Sequence, residues 1–535
     1  MKKFPLSLLF CAALVPALQM NAPAQDNASG RQIEALMEAA GKDDPGAVAK
    51  QLDAGADVNA KRDDGTTPLI MALAATPAGA QQLDTVKLLL DRGAKIDDKD
   101  ARGYTAVWYA AWAGSSPDAL QLLVDKGADV KSVDLNGGTI LHHVGEYAPD
   151  PNQTPEGKAK QDADLGRTVE ILIKAGVDVN AKDRGGQTAL MKYADFNEQA
   201  LVDAALAHGA NVNLVDARGH TALLNASQPS FALSPNAALV DVLLEHGADA
   251  TIGTDNPTST GDTPSPLKTA IVGGHYYVNR DRQARREMFK KLLDKGARFA
   301  CVKGSDTEAL LTAASLGDLA KVKELLGKGV KAGAADDRGW TALMSAEALG
   351  YDDVADLLLD SGADVNARDA NSFTALWLEV SCGTDAQRVA ALVRRKADPN
   401  IAAAGYYGSI LNRAVLRKDV EIIKILLDAG ADANQVIGSG NNPTTALQTA
   451  VHKRSAEMVK LLLDHKADPN PKSFENRTPL YWAIDYGEVD MVKALLEAGA
   501  KTDAVSDYKE TIQDEAKRSG NREIADLVSK AAAGK

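Results

Sequence analysis

The stretch Val354-Ala-Asp-Leu-Leu-Leu-Asp-Ser-Gly362-Ala-Asp-Val-Asn366 decides how this chain is read. Val354, Leu357 and Leu358 recur at helical spacing and would bury one stripe of a short helix. Gly362 stands where such a helix ends, in the left-handed conformation that glycine adopts without a Cβ penalty. The Asp and Asn after it open a turn and do not prolong the helix. The same phrase returns as Gly55-Ala-Asp-Val-Asn59, Gly209-Ala-Asn-Val-Asn213 and Gly430-Ala-Asp-Ala-Asn434.

Working outward, the closing position falls at Gly55, Gly93, Gly127, Gly176, Gly209, Gly247, Gly296, Gly329, Gly362, Lys396, Gly430, Lys466 and Gly499. The smallest spacing is 33 residues, and anything longer is insertion. A second mark, Thr-(Ala/Pro)-Leu, stands between them at Thr67, Thr188, Thr221, Thr341, Thr374, Thr445 and Thr478. Threonine suits the start of a helix because its hydroxyl accepts an orphan backbone N–H. Each unit therefore reads as a first helix, a turn, a second helix and a polar finger reaching to the next unit.

This pattern resembles the ankyrin repeat family over about residues 32–530. The family's Thr-Pro-Leu-His phrase is best kept at Thr139-Ile-Leu-His142 and Thr478-Pro-Leu-Tyr481. Elsewhere its histidine is replaced, for example by Met191, Met344, Trp377 and Gln448, which leaves the period intact. The resemblance implies an all-α solenoid of helix pairs joined by β-hairpin fingers, about thirteen full repeats and a C-terminal cap from Thr511 to Ser529. It also implies that fingers and first helices line the concave face on which partners dock.

Four units before residue 300 are longer than the rest, and the excess falls between their first and second helices. Two polar loops are expected there, residues 148–166 and 275–286. Glu308-Ala-Leu-Leu-Thr-Ala-Ala lacks a threonine-led entry, so residues 25–304 and 305–535 are read as two arrays, or as one continuous curve with an irregular finger.

The N-terminus carries Lys2 and Lys3, an apolar run from Phe4 to Leu18, and Ala22-Pro-Ala24. That order is expected of a signal peptide occupying residues 1–24, with a periplasmic or secreted mature chain. The formal net charge of -13 disfavours nucleic acid and anionic lipid as partners. Cys301 and Cys382 fall in units too far apart to bridge, so both are expected as free thiols.

Aromatic residues gather on first helices and fingers. Tyr104, Trp108, Trp112, Trp340, Phe373, Trp377, Tyr406, Tyr407, Tyr481 and Tyr486 are the candidate partner-binding residues, since Trp and Tyr concentrate in binding hot spots. Tyr109, Tyr193 and Trp482 are expected to pack in the core. A basic island, Arg280, Arg282, Arg285 and Arg286 with Lys290 and Lys291, reads either as an anion site or as a solvated face. His143 and Glu146 have the spacing of a helical pair, but one such pair makes no metal site.

Chemistry is otherwise scarce. The chain has no Gly-x-Ser-x-Gly elbow, no Walker loop and no His-Glu-x-x-His, and neither cofactor nor metal is expected. The reading is a monomeric, non-enzymatic module that binds another protein through its concave face. The alternative is a scaffold of the cell envelope that grips glycan through its aromatics.

Overall fold

The computed structural model describes residues 28–74, 81–112, 116–146, 154–227, 237–252, 267, 270–271, 281–299, 304–383, 385–403, 408–436, 444–471 and 476–533. Helices follow one another in pairs, such as Ala342–Leu349 with Asp352–Asp360, Ala375–Cys382 with Ala386–Arg394, and Ile410–Arg417 with Val420–Asp428. The series ends on Ile512–Arg518 and Arg522–Ala533. Two compact units form, Met1–Asn256 and Pro257–Lys535.

Each punctuation mark has a physical cause. The eleven closing glycines all lie at φ between +84° and +93°. A Cβ built on Gly55, Gly93, Gly362 or Gly430 would meet nothing, so the demand is conformational and not steric. Lys396 and Lys466 adopt the same conformation, at +67° and +65°, despite their side chains. The threonines cap as expected. Thr374 Oγ1 accepts from Trp377 N at 3.1 Å, and Thr341, Thr188, Thr445 and Thr478 do the same for the residue three further on.

The asparagine of the recurring phrase ties one unit to the next. Asn400 Nδ2 donates to the Gly430 carbonyl at 3.0 Å while its Oδ1 accepts from Asp432 N at 2.7 Å. Asn59, Asn180, Asn213, Asn366, Asn434 and Asn470 make the equivalent pair of bonds. Asp97, Lys131, Thr251, Ala300, Gly333 and Asp503 stand at that position elsewhere, and among them glycine has no side chain with which to make the tie.

The fingers are turns closed by single bridges, among them Val133 with Thr139 and Val505 with Thr511, and not extended ladders. An aspartate shapes several of these turns: Asp336 Oδ1 accepts from Arg338 N at 2.9 Å and Trp340 N at 2.8 Å, while Ser506 Oγ takes its place in the last finger. Neighbouring fingers join through main-chain bonds such as Ala370 N to Arg338 O at 2.8 Å.

First and second helices are buried differently. All eight residues of Ala342–Leu349 and of Ala375–Cys382 are buried, because other helices flank them on several sides. Asp352–Asp360 buries only Val354, Ala355 and Leu358; of the stripe expected from the sequence, Leu357 is half-buried and Ala355 takes its place.

Two expectations are corrected. Pro155–Lys174 is one helix capped by Thr154, so residues 155–166 extend a helix instead of forming a loop. Arg282–Asp294 is likewise a helix, capped by Asp281, so residues 281–286 do not form the loop expected over 275–286, and 275–280 lie outside the described residues. The helix Arg282–Asp294 lies in the compact unit Pro257–Lys535. The reason lies in the arginines of Arg282–Asp294, described next.

Candidate protein-binding surface

Arg285 is 1% exposed and lies among the C-terminal ends of first helices. Its Nη1 donates to Ile271 O at 2.8 Å and Ala348 O at 2.6 Å, and its Nη2 to Cys382 O at 3.0 Å. Arg286 donates to Leu349 O and Gly350 O at 2.8 and 2.7 Å, and its guanidinium stands 4.2 Å from the Tyr351 ring centroid. Carbonyls at a helix C-terminus lack intrahelical donors and carry partial negative charge, so a guanidinium satisfies both needs. Arg282 pairs with the buried Glu379. Arg282, Arg285 and Arg286 are therefore structural cross-ties: neither the anion site nor the solvated face describes them. Arg280 lies outside the described residues.

The aromatic candidates divide the same way. Trp340, Trp377 and Phe373 are in the core, at 0%, 0% and 2% exposure. Trp340 Nε1 donates to Ser345 Oγ at 2.8 Å, and Phe373 stacks on Trp377 with centroids 4.3 Å apart. Trp108 and Tyr481 are also buried. These five corrections share one cause: the residues before and just after the threonine cap turn inward between neighbouring repeats. Tyr104, Trp112 and Tyr486 keep partly open surfaces. Tyr193 is buried as expected, with its hydroxyl donating to Leu141 O at 2.6 Å, whereas Tyr109 and Trp482 are only half-buried. Tyr406, Tyr407 and Cys301 lie outside the described residues.

Among the described residues two aromatic clusters remain near solvent, one in each unit. In the N-terminal unit, Tyr104 stands 5.1 Å from Trp108 and 6.0 Å from Trp112, and the His143 ring lies within 6.5 Å of all three. His143 Nε2 and Nδ1 each lie 2.8 Å from a carboxylate, Asp134 Oδ2 and Glu146 Oε2. Burial alone would lower the His143 pKa, but its bonds and charge pairing with Glu146 and Asp134 prevail and hold it above the usual histidine value. His142, by contrast, links two units: its ring accepts from Thr139 N at 3.0 Å and meets Gln187 O at 3.0 Å in the next unit.

In the C-terminal unit the Arg477 guanidinium is set among Tyr481, Trp482 and Tyr508, at 4.7, 5.1 and 5.6 Å. Arg477 and Arg518 both reach Glu510, and the Tyr481 hydroxyl donates to Glu510 at 2.8 Å.

The large exposed hydrophobics among the described residues are Val133, Leu135, Leu316, Leu416, Val436, Val505 and Tyr508. Five of the seven, all but Leu316 and Leu416, belong to fingers or to the segments leading into them. Composition could not reveal this, because an isolated Val or Leu in a turn looks like any core residue. No group of His, Cys, Asp and Glu able to hold a metal occurs among the described residues. No described helix is long and apolar enough to cross a membrane.

Comparison with known proteins agrees with this architecture. The chain is 37% identical over 157 residues to the fowlpox virus (strain NVSL) ankyrin repeat protein FPV014, covering 29% of this chain and 34% of that one. A second fowlpox ankyrin repeat protein, FPV031, is 35% identical over 107 residues, covering 19% of this chain and 28% of that one. The chain thus spans about a third of the length of these relatives. The crystal structure of the ankyrin repeat domain of Bcl-3, of the IkappaB family, matches with 25% identity over 41% of this chain and 97% of that one, at a TM-score of 0.34. The family model for ankyrin repeats (three copies) matches residues 36–143, 159–254, 275–369 and 411–506, well over half of the sequence, and the chain belongs to the ankyrin repeat family.

Proposed function

We propose that this chain is an exported, monomeric binding module that docks another protein along its finger edge, on the concave side. Ankyrin repeats generally mediate protein–protein interaction. The observation that carries the finer reading is the placement of exposed apolar surface on Val133, Leu135, Val436, Val505 and Tyr508, at the fingers. Val133 with Leu135, and Val505 with Tyr508, each set two exposed apolar side chains on one finger, and grouped exposed apolar surface is what marks a contact site. Tyr104, Trp112 and Tyr486 add partly open aromatic surface close by.

Charge supports a protein partner over a polyanion. Met1–Asn256 carries 34 acidic and 22 basic residues, while Pro257–Lys535 carries 39 and 38. The N-terminal unit therefore repels phosphate backbones, and the C-terminal unit has no net attraction for them. Export rests on the charged, apolar and small-residue order of residues 1–24.

The test is a comparative pull-down from an envelope extract. The native mature chain should retain a stoichiometric protein that is lost with Leu135→Asp and Tyr508→Asp together. It should be kept with the second-helix reversals Glu245→Lys and Lys460→Glu. Retention of insoluble wall material and no protein would favour the glycan scaffold instead.

A further inference from the structure

Both ring nitrogens of His143 face carboxylate oxygens at 2.8 Å, one from Asp134 on the finger and one from Glu146 beyond the short helix Ile140–His143. An ionised carboxylate only accepts, so each nitrogen must carry a hydrogen, which only the imidazolium does. The proton cannot be assigned to the acids instead. Asp134 Oδ1 already accepts from Asn136 N and Gly138 N at 2.7 and 2.8 Å, and Glu146 meets Lys192 at 3.4 Å, contacts that favour both ionised forms. The faces of Tyr104, Trp108 and Trp112 around the ring suit a cation as well.

The Asp134 bond ties the finger bearing Val133 and Leu135, which are 58% and 80% exposed, to the body of the repeat. Its other ties are few: the single bridge from Val133 to Thr139, the Trp108 Nε1 to Ser132 Oγ bond at 3.1 Å, and Arg184 N to Asn136 O at 2.7 Å.

We propose that His143 is a proton-dependent latch that holds this finger against the aromatic cluster and lets it go when the ring loses its proton to solvent. In the neutral ring one nitrogen becomes a lone pair. The latch takes the remaining hydrogen to stay on Nδ1, against Glu146 Oε2, so that the lone pair falls on Nε2 and faces Asp134 Oδ2. That contact is then repulsive, and the finger is held by its remaining ties alone. The groups facing the ring are Asp134 on the finger, Glu146, Lys192 on the next first helix, Tyr104, and the neighbouring His142. Asp100 and Arg102 stand behind Tyr104. The histidine pKa is raised on folding, so the latch is closed at low pH and opens as pH rises through the folded-state value. Presentation of Val133 and Leu135 is thereby linked to pH independently of what binds them.

The experiment is hydrogen exchange by mass spectrometry on the full mature chain, from about pH 6 to about pH 9, corrected for intrinsic exchange. Protection of the segment 133–139 should fall with rising pH, by at most about tenfold per unit, the limit for one linked proton. The finger of Ala335 and Thr341, which contains no histidine, should stay level. Asp134→Asn offers an amide hydrogen to a neutral Nε2 and should keep the finger closed across the range; His143→Gln should abolish the pH dependence. Protection in the native chain that tracks the control finger, or survives unchanged in His143→Gln, overturns the latch. Should His143→Gln not fold, ring NMR decides: a His143 resonance titrating at or below the ordinary histidine value overturns it too.

Discussion

Arg285 and Cys382 stand 97 residues apart in sequence, yet Arg285 Nη2 donates to the Cys382 main-chain oxygen at 3.0 Å. With Ile271 O and Ala348 O on its other nitrogen, one guanidinium satisfies three main-chain carbonyls. An ordinary repeat touches only its immediate neighbours. The helix Arg282–Asp294 instead bonds to Ala348 and Cys382, in the second and third repeats after its own. Arg285→Met should leave those carbonyls buried without donors and cost the unit about 3 kcal/mol or more, read as a lower urea midpoint. Arg285→Lys should recover only part of that loss, because an ammonium cannot span the same fork. A midpoint unchanged in Arg285→Met would show that the cross-tie is dispensable.

Glu379 gives a pH-dependent counterpart. Its side chain is fully buried beside Arg282, and burial pushes its carboxyl up to about 8. A carboxyl raised on folding stabilises fully below its unfolded value, near 4.5, and loses that contribution as pH rises through about 8. Unfolding of the C-terminal unit should therefore become easier between about pH 5 and pH 9, and Glu379→Gln should flatten the slope. A slope that persists in Glu379→Gln assigns the dependence to another group.

The two lysines in left-handed conformation predict a gain. A non-glycine residue there costs on the order of 1–2 kcal/mol, partly offset by the extra freedom glycine has when unfolded. Lys396→Gly and Lys466→Gly should each stabilise the C-terminal unit by about 0.5–1 kcal/mol in urea melts. Destabilisation would mean that the lysine side chains contribute more than their backbone strain removes.

The asparagine ties predict a loss and a repair. Asn400→Ala removes two inter-repeat bonds and should cost about 1–2 kcal/mol. Gly333 occupies the same position without a tie, has no positive φ and has open space at its Cβ. Gly333→Asn should add about 1 kcal/mol by reaching the main chain near Gly362. No change in either variant would make these bonds incidental to stability.

The repeat was legible because its marks are conformational. Gly362, Asn366 and Thr374 each do one local task that their chemistry dictates, whatever surrounds them. The aromatics were not legible in the same way. Ala375–Cys382 is buried on every side, so its sequence shows no polar face, and Trp377 in it reads equally as core or contact. Arg285 was misread because charge predicts solvent, whereas helix C-termini brought together by folding supply carbonyls that no sequence window contains. The exposed Leu135 escaped notice because one apolar residue in a turn carries no periodic signal.

The central claim is that the fingers, and not the buried aromatics, carry recognition. Calorimetric titration of the protein recovered by pull-down against single variants tests it most directly. Leu135→Ala and Tyr508→Ala should leave the melting temperature nearly unchanged, and at least one should weaken binding by about 2 kcal/mol, a hot-spot loss. Trp340→Ala should lower the melting temperature sharply, costing about 3–5 kcal/mol of stability, while the fraction still folded binds with native affinity. Native affinity in both finger variants, with binding abolished by Glu245→Lys or Lys460→Glu, would contradict the account and place the working surface on the second helices.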